Sequence, residues 1–219
     1  YRKHVVKPFF RDHFSRLDPQ VVLIDALGAI ERGPESTGDL GRALEGVLRA
    51  FRPGANTFLT SLLARRIDRI VFAATKADHL HHTSHDRLEG LLGEIAQRAI
   101  ERARFSGARI KVMAVAAIRA TREGSRKDGG REMPLIVGTP MPGETLDGDA
   151  FDGEREVALF AGDLPDRLAD LSPASEAPPA RFLRFRPPPL AGSPAEGRPP
   201  YPHIRLDRLL DFLIGDRLT

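Results

Sequence analysis

Three short apolar runs, separated by amphipathic stretches of helical period, mark this chain as an α/β protein with a doubly wound, mainly parallel sheet. The runs are Val21-Val22-Leu23-Ile24, Ile67 to Ala74 and Ile110 to Val115. The first is a continuous apolar run, the pattern of a strand buried on both faces, and all three are short and rich in Val or Ile. The order strand, helix, strand, helix, strand closes through right-handed crossovers, which leaves parallel strands covered by helices.

The elements follow in chain order. Phe9, Phe10, Phe14 and Leu17 suit a short helix within residues 5–17, and the first strand ends at Asp25. Thr37-Gly38-Asp39 reads as a helix start, with Leu40, Leu44, Val47, Leu48 and Phe51 on one face and Pro53-Gly54 as its stop. A short helix after Asn56 would turn Leu59, Leu62 and Leu63 inward, before the second strand. Thr83 and Asp86 have capping-box spacing, and the apolar positions from Leu88 to Ala103 hold a period near 3.6 until Gly107. The third strand follows. Gly124 to Arg131 then reads as a polar loop. Residues 135–137, 157–160 and 182–185 are short strand candidates, while 173–179 and 187–202 are too rich in Pro for regular structure. Leu206, Leu209, Leu210, Leu213 and Ile214 make a last amphipathic helix, read as packing on the core rather than as a dimer seam. The expected division is 1–122 for the sheet domain, 123–202 for a β-containing extension and 203–219 for the closing helix.

Composition narrows the chemistry. The 219 residues are 41% hydrophobic and 29% charged, enough for a sizeable core. The net charge is only +3, so the pI of 9.6 does not imply nucleic acid. The absence of cysteine excludes disulfides, thiolate metal sites and cysteine nucleophiles. There is no membrane-spanning apolar run and no signal-peptide core, and a cytoplasmic location is expected. The chain does not begin with Met, which favours a longer natural protein.

Ligands of doubly wound sheets gather at the carboxyl ends of the strands. After the first strand stands Asp25-Ala26-Leu27-Gly28: the carboxylate could hold Mg²⁺ through water, and Gly28 would let backbone approach a terminal phosphate. After the second stands Thr75-Lys76-Ala77-Asp78. A carboxylate at Asp78 could accept paired hydrogen bonds from the N1–H and amino edge of guanine, which adenine lacks. The Lys76 stem could lie along the base, and the small Ala116-Ala117 pair after the third strand would admit a backbone N–H to the base carbonyl. Against this, Asp25 could merely cap a turn and Asp78 the next helix.

These motifs, in this order, resemble the later motifs of GTPases. The stretches "FRDHFSRLDPQVVLIDAL", "RRIDRIVFAATKADHLHHTSHDRL", "RAIERARFSGA", "LRFRPPPL" and "HIRLDRLLDFLIGDRL" are similar to the YcjX-like P-loop NTPase family across most of the chain. The resemblance implies an incomplete P-loop NTPase-type fold that binds GTP or GDP with Mg²⁺, hydrolyses GTP slowly, and serves a bacterial stress response with an unknown protein partner. Asp25 would serve Mg²⁺, Gly28 the γ-phosphate, and Thr75, Lys76, Asp78, Ala116 and Ala117 the base. Thr75 departs from the commoner Asn. A phosphate loop of the form G-x-x-x-x-G-K-[ST] is absent from these residues, so either upstream sequence supplies it or the site has decayed. An ATP-binding protein and a non-catalytic interaction module are the alternatives.

His79, His81, His82 and His85 cluster after the second strand, with His81 and His85 spaced to share a helix face. A polar loop beside the base, or a satisfied surface cluster, is the expectation. Arg119, Arg122, Arg126, Lys127 and Arg131 read as a solvated loop rather than as a charge-stabilising arginine in cis.

Overall fold

In the computed structural model of the protein, residues 19–50, 68–171, 182–188 and 202–218 are described. The helices expected within 5–17 and after Asn56 lie outside them, as do 173–179 and most of 187–202. Strands β1 (Pro19–Ile24), β2 (Arg69–Ala74) and β3 (Arg109–Ala114) form a parallel sheet in that spatial order. The register places Ile24 beside Ala74 and Ala74 beside Ala114, so the three carboxyl ends stand abreast.

Strand β2 organises the packing. All six of its residues are buried. On one face Ile70, Phe72 and Ala74 join the main core with Leu27, Ile30, Leu88, Leu91 and Leu92. On the other, Val71 and Ala73 meet Met113, Val115, Leu209 and Leu213. The period of two in a strand sends alternate residues to these two layers. The main-core face is covered by α1 (Ala26–Glu31), α2 (Pro34–Ala50), α3 (His85–Ile95) and α4 (Gln97–Phe105), and the other by α5 (Leu206–Ile214).

Strand β1 is less buried than its apolar run predicts. Leu23 is 68% and Val21 38% exposed, on the same face as the buried Val71 and Ala73 beside them in the register. Helix α2 begins at Pro34 rather than near Thr37. Pro at the first helical position has no N–H to leave unpaired, and Gly33 at φ 94° turns the chain into it. Val47, expected inward, is exposed. The long helix expected after Thr83 is two helices broken at Ala96, and its start has no side-chain cap from Ser84. Thr83 and Asp86 therefore form no capping box; His82-Thr83-Ser84 is a separate 3₁₀ turn. Gly107 ends α4 at φ 88°, as its position predicts.

The stretch expected as a loop, 124–131, is instead the tip of a hairpin. Strands β4 (Arg122–Asp128) and β5 (Arg131–Gly138) pair antiparallel, and β8 (Val157–Leu159) extends them. Gly129 and Gly130 both adopt positive φ, which suits a two-residue turn matched to strand twist. Between β5 and β8, β6 (Thr145–Leu146) and β7 (Asp149–Ala150) make a small ribbon. The strand expected at 182–185 is only an isolated bridge between Phe185 and Pro140.

Helix α5, foreseen at its observed position, is locked at both ends. The Arg69 guanidinium donates to the carbonyls of Phe212 and Leu213, at 3.0 and 3.1 Å, and pairs with Asp216. That satisfies carbonyls a helix end leaves free and places a cation at its negative pole. Arg205, before the helix, pairs with Glu89, which also accepts the Ala114 N–H at 2.8 Å. Among the described residues no helix is long and apolar enough to cross a membrane.

Gly41 brings α2 against the end of α3: a Cβ there would lie 2.9 Å from the Ile95 carbonyl oxygen, whereas one at Gly46 would meet nothing within 4 Å. Gly41→Val should therefore destabilise the fold by about 1–3 kcal/mol. Gly46→Ala should stabilise it by up to about 1 kcal/mol through helix propensity alone. Urea unfolding midpoints of the two variants, moving in opposite directions, check this contact.

Candidate functional site at the strand ends

The carboxyl ends of β1 and β2 are stitched together. Both the Thr75 N–H and its hydroxyl donate to the Ile24 carbonyl, at 2.9 and 3.2 Å. The next residues then meet across the gap, with Lys76 Nζ 2.7 Å from Asp25 Oδ2. Asp25 caps α1, a helix the sequence reading missed, by accepting the Gly28 N–H at 3.1 Å. A Cβ on Gly28 would stand 2.9 Å from Asp25 Oδ2. Glycine at 28 thus leaves room for the carboxylate that caps its own amide.

Lys76 sits at φ 63°, the left-handed region a side chain rarely occupies. The residues on either side hold it there. Thr75 is bound to β1, and the Ala77 N–H donates to the Val115 carbonyl at 3.1 Å. Local strain held by its surroundings often marks functional loops.

Asp78 lies one turn deeper and is buried. Its carboxylate accepts the Ala120 N–H at 2.9 Å, and its carbonyl accepts the Thr121 hydroxyl. It therefore holds the loop after β3. Ala116 exchanges both backbone hydrogen bonds with Ile204, at 3.1 and 2.8 Å, so its N–H is already donated. Ala117, the next residue, is exposed. Of the residues singled out by sequence, Asp25, Gly28, Thr75 and Lys76 form one patch at the ends of β1 and β2. Asp78 and Ala116 are tied to the neighbouring loop and to residue 204.

The charges of this patch favour an ionised Asp25. Partial burial works against its charge, but the Lys76 hydrogen bond, the Gly28 N–H and the nearby Lys76 and Arg32 charges together hold the carboxyl below its usual value. Lys76 and Asp25 are each nearly half exposed, so the pair is partly screened.

The histidine cluster divides. His85 turns inward, with Nε2 2.9 Å from the Ala77 carbonyl, and does not share a ligand face with His81 as the spacing suggested. His79 is buried edge-on against Phe185, ring centroids 5.6 Å apart, and its Nδ1 has no partner. Burial lowers the proton affinity of both rings. His81 and His82 instead approach Glu123 of β4. Sequence reasoning missed Glu123, since only the hairpin brings it there. The basic run after β3 is paired in part: Arg119 with Glu123 and Arg122 with Glu156, each at 3.1 Å.

A cavity of about 180 Å³ lies between the segment 80–87 and residues 134–136 and 160–163. None of Asp25, Lys76 or Asp78 lines it.

The protein is thus of the α/β class, with an Asp-x-x-Gly turn and a Thr-Lys-x-Asp turn at the ends of adjacent parallel strands. The chain belongs to the YcjX-like family (DUF463), whose model matches residues 1–218. It is 35% identical over 219 residues to a protein of Shewanella oneidensis named Ras-like GTPase YcjX, spanning all of this chain and 42% of that relative. It is 33% identical over 218 residues to the protein of the same name from Escherichia coli K12, spanning all of this chain and 43% of that relative. The chain thus spans less than half the length of these curated relatives.

Lys76→Met should raise the Asp25 titration midpoint, because burial then acts with its main counter-charge removed. The sign follows from a depressed carboxyl: the pair stabilises the fold above the ordinary carboxylate value of 3.8, and this contribution fades as pH falls through the lowered value. Carboxyl-carbon NMR titration of both forms checks the shift.

Proposed function

We propose that this chain is the later part of the nucleotide-binding domain of a guanine-nucleotide-binding protein that hydrolyses GTP slowly, active only with an upstream phosphate-binding loop. The observation that carries it is the meeting of Asp25 and Lys76, 2.7 Å apart, at the carboxyl ends of adjacent parallel strands. Two motifs 51 positions apart in sequence converge there, and the relatives named as Ras-like GTPases share this chain's full length.

The residues suit the ligand in kind. Asp25 is a hard, ionised carboxylate beside solvent, the donor Mg²⁺ prefers, and would hold the ion through water. Bound there, Mg²⁺ would neutralise charge on the phosphates. Gly28 would accept a close phosphate, and the Lys76 stem would flank the base once its ammonium leaves Asp25. Asp78 would read the guanine edge, with Thr75 fixing the turn and Ala117 offering its backbone to the base carbonyl. Ala116 supports that segment through its bridge to Ile204. A stress-related role in a bacterial cytoplasm, with a protein partner, completes the reading by analogy with the family.

A second reading has one observation in its favour. Asp78 is buried and accepts from Ala120, so it has a structural task without any nucleotide. An ATP-binding protein, or an interaction module with a decayed site, would keep that task and lack guanine selectivity.

Calorimetric titration of GDP and ADP, with Mg²⁺, into the intact protein separates these readings. GDP should bind and ADP should not. Asp78→Asn keeps an oxygen to accept the Ala120 N–H, so it should fold yet lose GDP by more than about 2 kcal/mol, the scale of a buried group left mispaired. Binding of neither nucleotide by the intact protein would favour the decayed module, and equal binding of both would favour the ATP reading.

A further inference from the structure

We propose that His81, His82 and Glu123 form a binding site for a first-row transition-metal dication of the zinc class. The site is separate from the nucleotide patch and independent of the proposed function. His81 and His82 come from the turn before α3 and Glu123 from β4, and one donor atom of each lies within 4.8 Å of the others. The metal would therefore clamp the loop after β2 to the hairpin after β3.

The spacing suits tetrahedral coordination. Ligands about 2.0–2.2 Å from a zinc ion stand about 3.3–3.5 Å from one another. Glu123 Oε2 lies 2.7 Å from His82 Nδ1 and 3.8 Å from His81 Nε2, values on either side of that distance. The Glu123–His82 separation would open by about 0.6–0.8 Å and the Glu123–His81 separation close by about 0.3–0.5 Å to admit the ion, with water as the fourth ligand. Two imidazoles and one carboxylate favour zinc, nickel or copper over Mg²⁺, which takes oxygen ligands.

Surrounding groups already orient the donors. His81 Nδ1 accepts the Thr83 N–H at 3.5 Å and lies 2.9 Å from Thr83 Oγ1, which fixes the ring; with an ion on Nε2 the proton would sit on Nδ1 and point to Oγ1. Arg119 holds the other Glu123 oxygen, Oε1, at 3.1 Å, which turns Oε2 to the histidines. His82 is 63% exposed, so the ion has a route from solvent.

The test is titration of the intact, chelator-treated protein with Zn²⁺ by calorimetry and with Co²⁺ by visible absorption. One Co²⁺ should bind with the intense bands of tetrahedral geometry, and Zn²⁺ should displace it. His82→Ala and Glu123→Gln should each weaken Zn²⁺ by at least tenfold, since even loss of an outer partner costs roughly 10–100-fold. His203→Gln, an exposed histidine outside the cluster, should bind as the natural protein does. Far-UV circular dichroism of the metal-free variants confirms that they fold, and with two variants a misfolded one leaves the other decisive. Absence of the tetrahedral Co²⁺ spectrum overturns the site. So does undiminished Zn²⁺ binding in a folded variant.

Discussion

Complete burial of β2 is the constraint on which the structure depends. Its six residues alternate between two apolar layers, so neither face can be relinquished without unfolding the other. Phe72 fills one layer and Val71 the other, each with no exposed surface. A strand buried in this way must satisfy its backbone on both edges, and the parallel pairings with β1 and β3 do so. Those pairings align the strand ends, and the aligned ends set the candidate site.

The turn after β2 inherits this rigidity. Thr75 is bound to β1 and Ala77 to the end of β3, which leaves Lys76 suspended between two fixed points in a left-handed conformation. Its ammonium can then reach Asp25, whose other oxygen caps α1. The carboxylate that caps α1 also carries a charge beside solvent, and Gly28 leaves room for it. At Asp78 the buried carboxylate holds the amide of Ala120 and the backbone carbonyl holds the hydroxyl of Thr121.

The C-terminal helix closes the sheet from the far end of the chain. Arg69, at the first position of β2, binds the last carbonyls of α5, and Arg205 ties the helix start to Glu89. Glu89 in turn holds the final amide of β3. Helix α5, α3 and β3 are thereby joined through one carboxylate close to the strand ends.

Much of this was legible in the sequence, because periodicity reports burial directly. The three strands, the break at Gly107 and the last helix follow from apolar spacing, and the motifs at the strand ends follow from their position after those strands. Resemblance to the YcjX-like family rested on the same stretches, and the family match over residues 1–218 agrees with it. What the sequence left undecided are matters of partnership between distant segments. Leu23 is exposed while Ala73, its neighbour in the register, is buried, a difference their apolar runs do not encode. The hairpin at Gly129-Gly130 hides in a polar stretch because its strands carry charge towards solvent. Glu123 meets the histidines only once that hairpin folds back, a proximity 41 positions apart that no local pattern encodes. Local order is written in the spacing of apolar residues, whereas the meeting of side chains from separate elements is decided by the packing that brings those elements together.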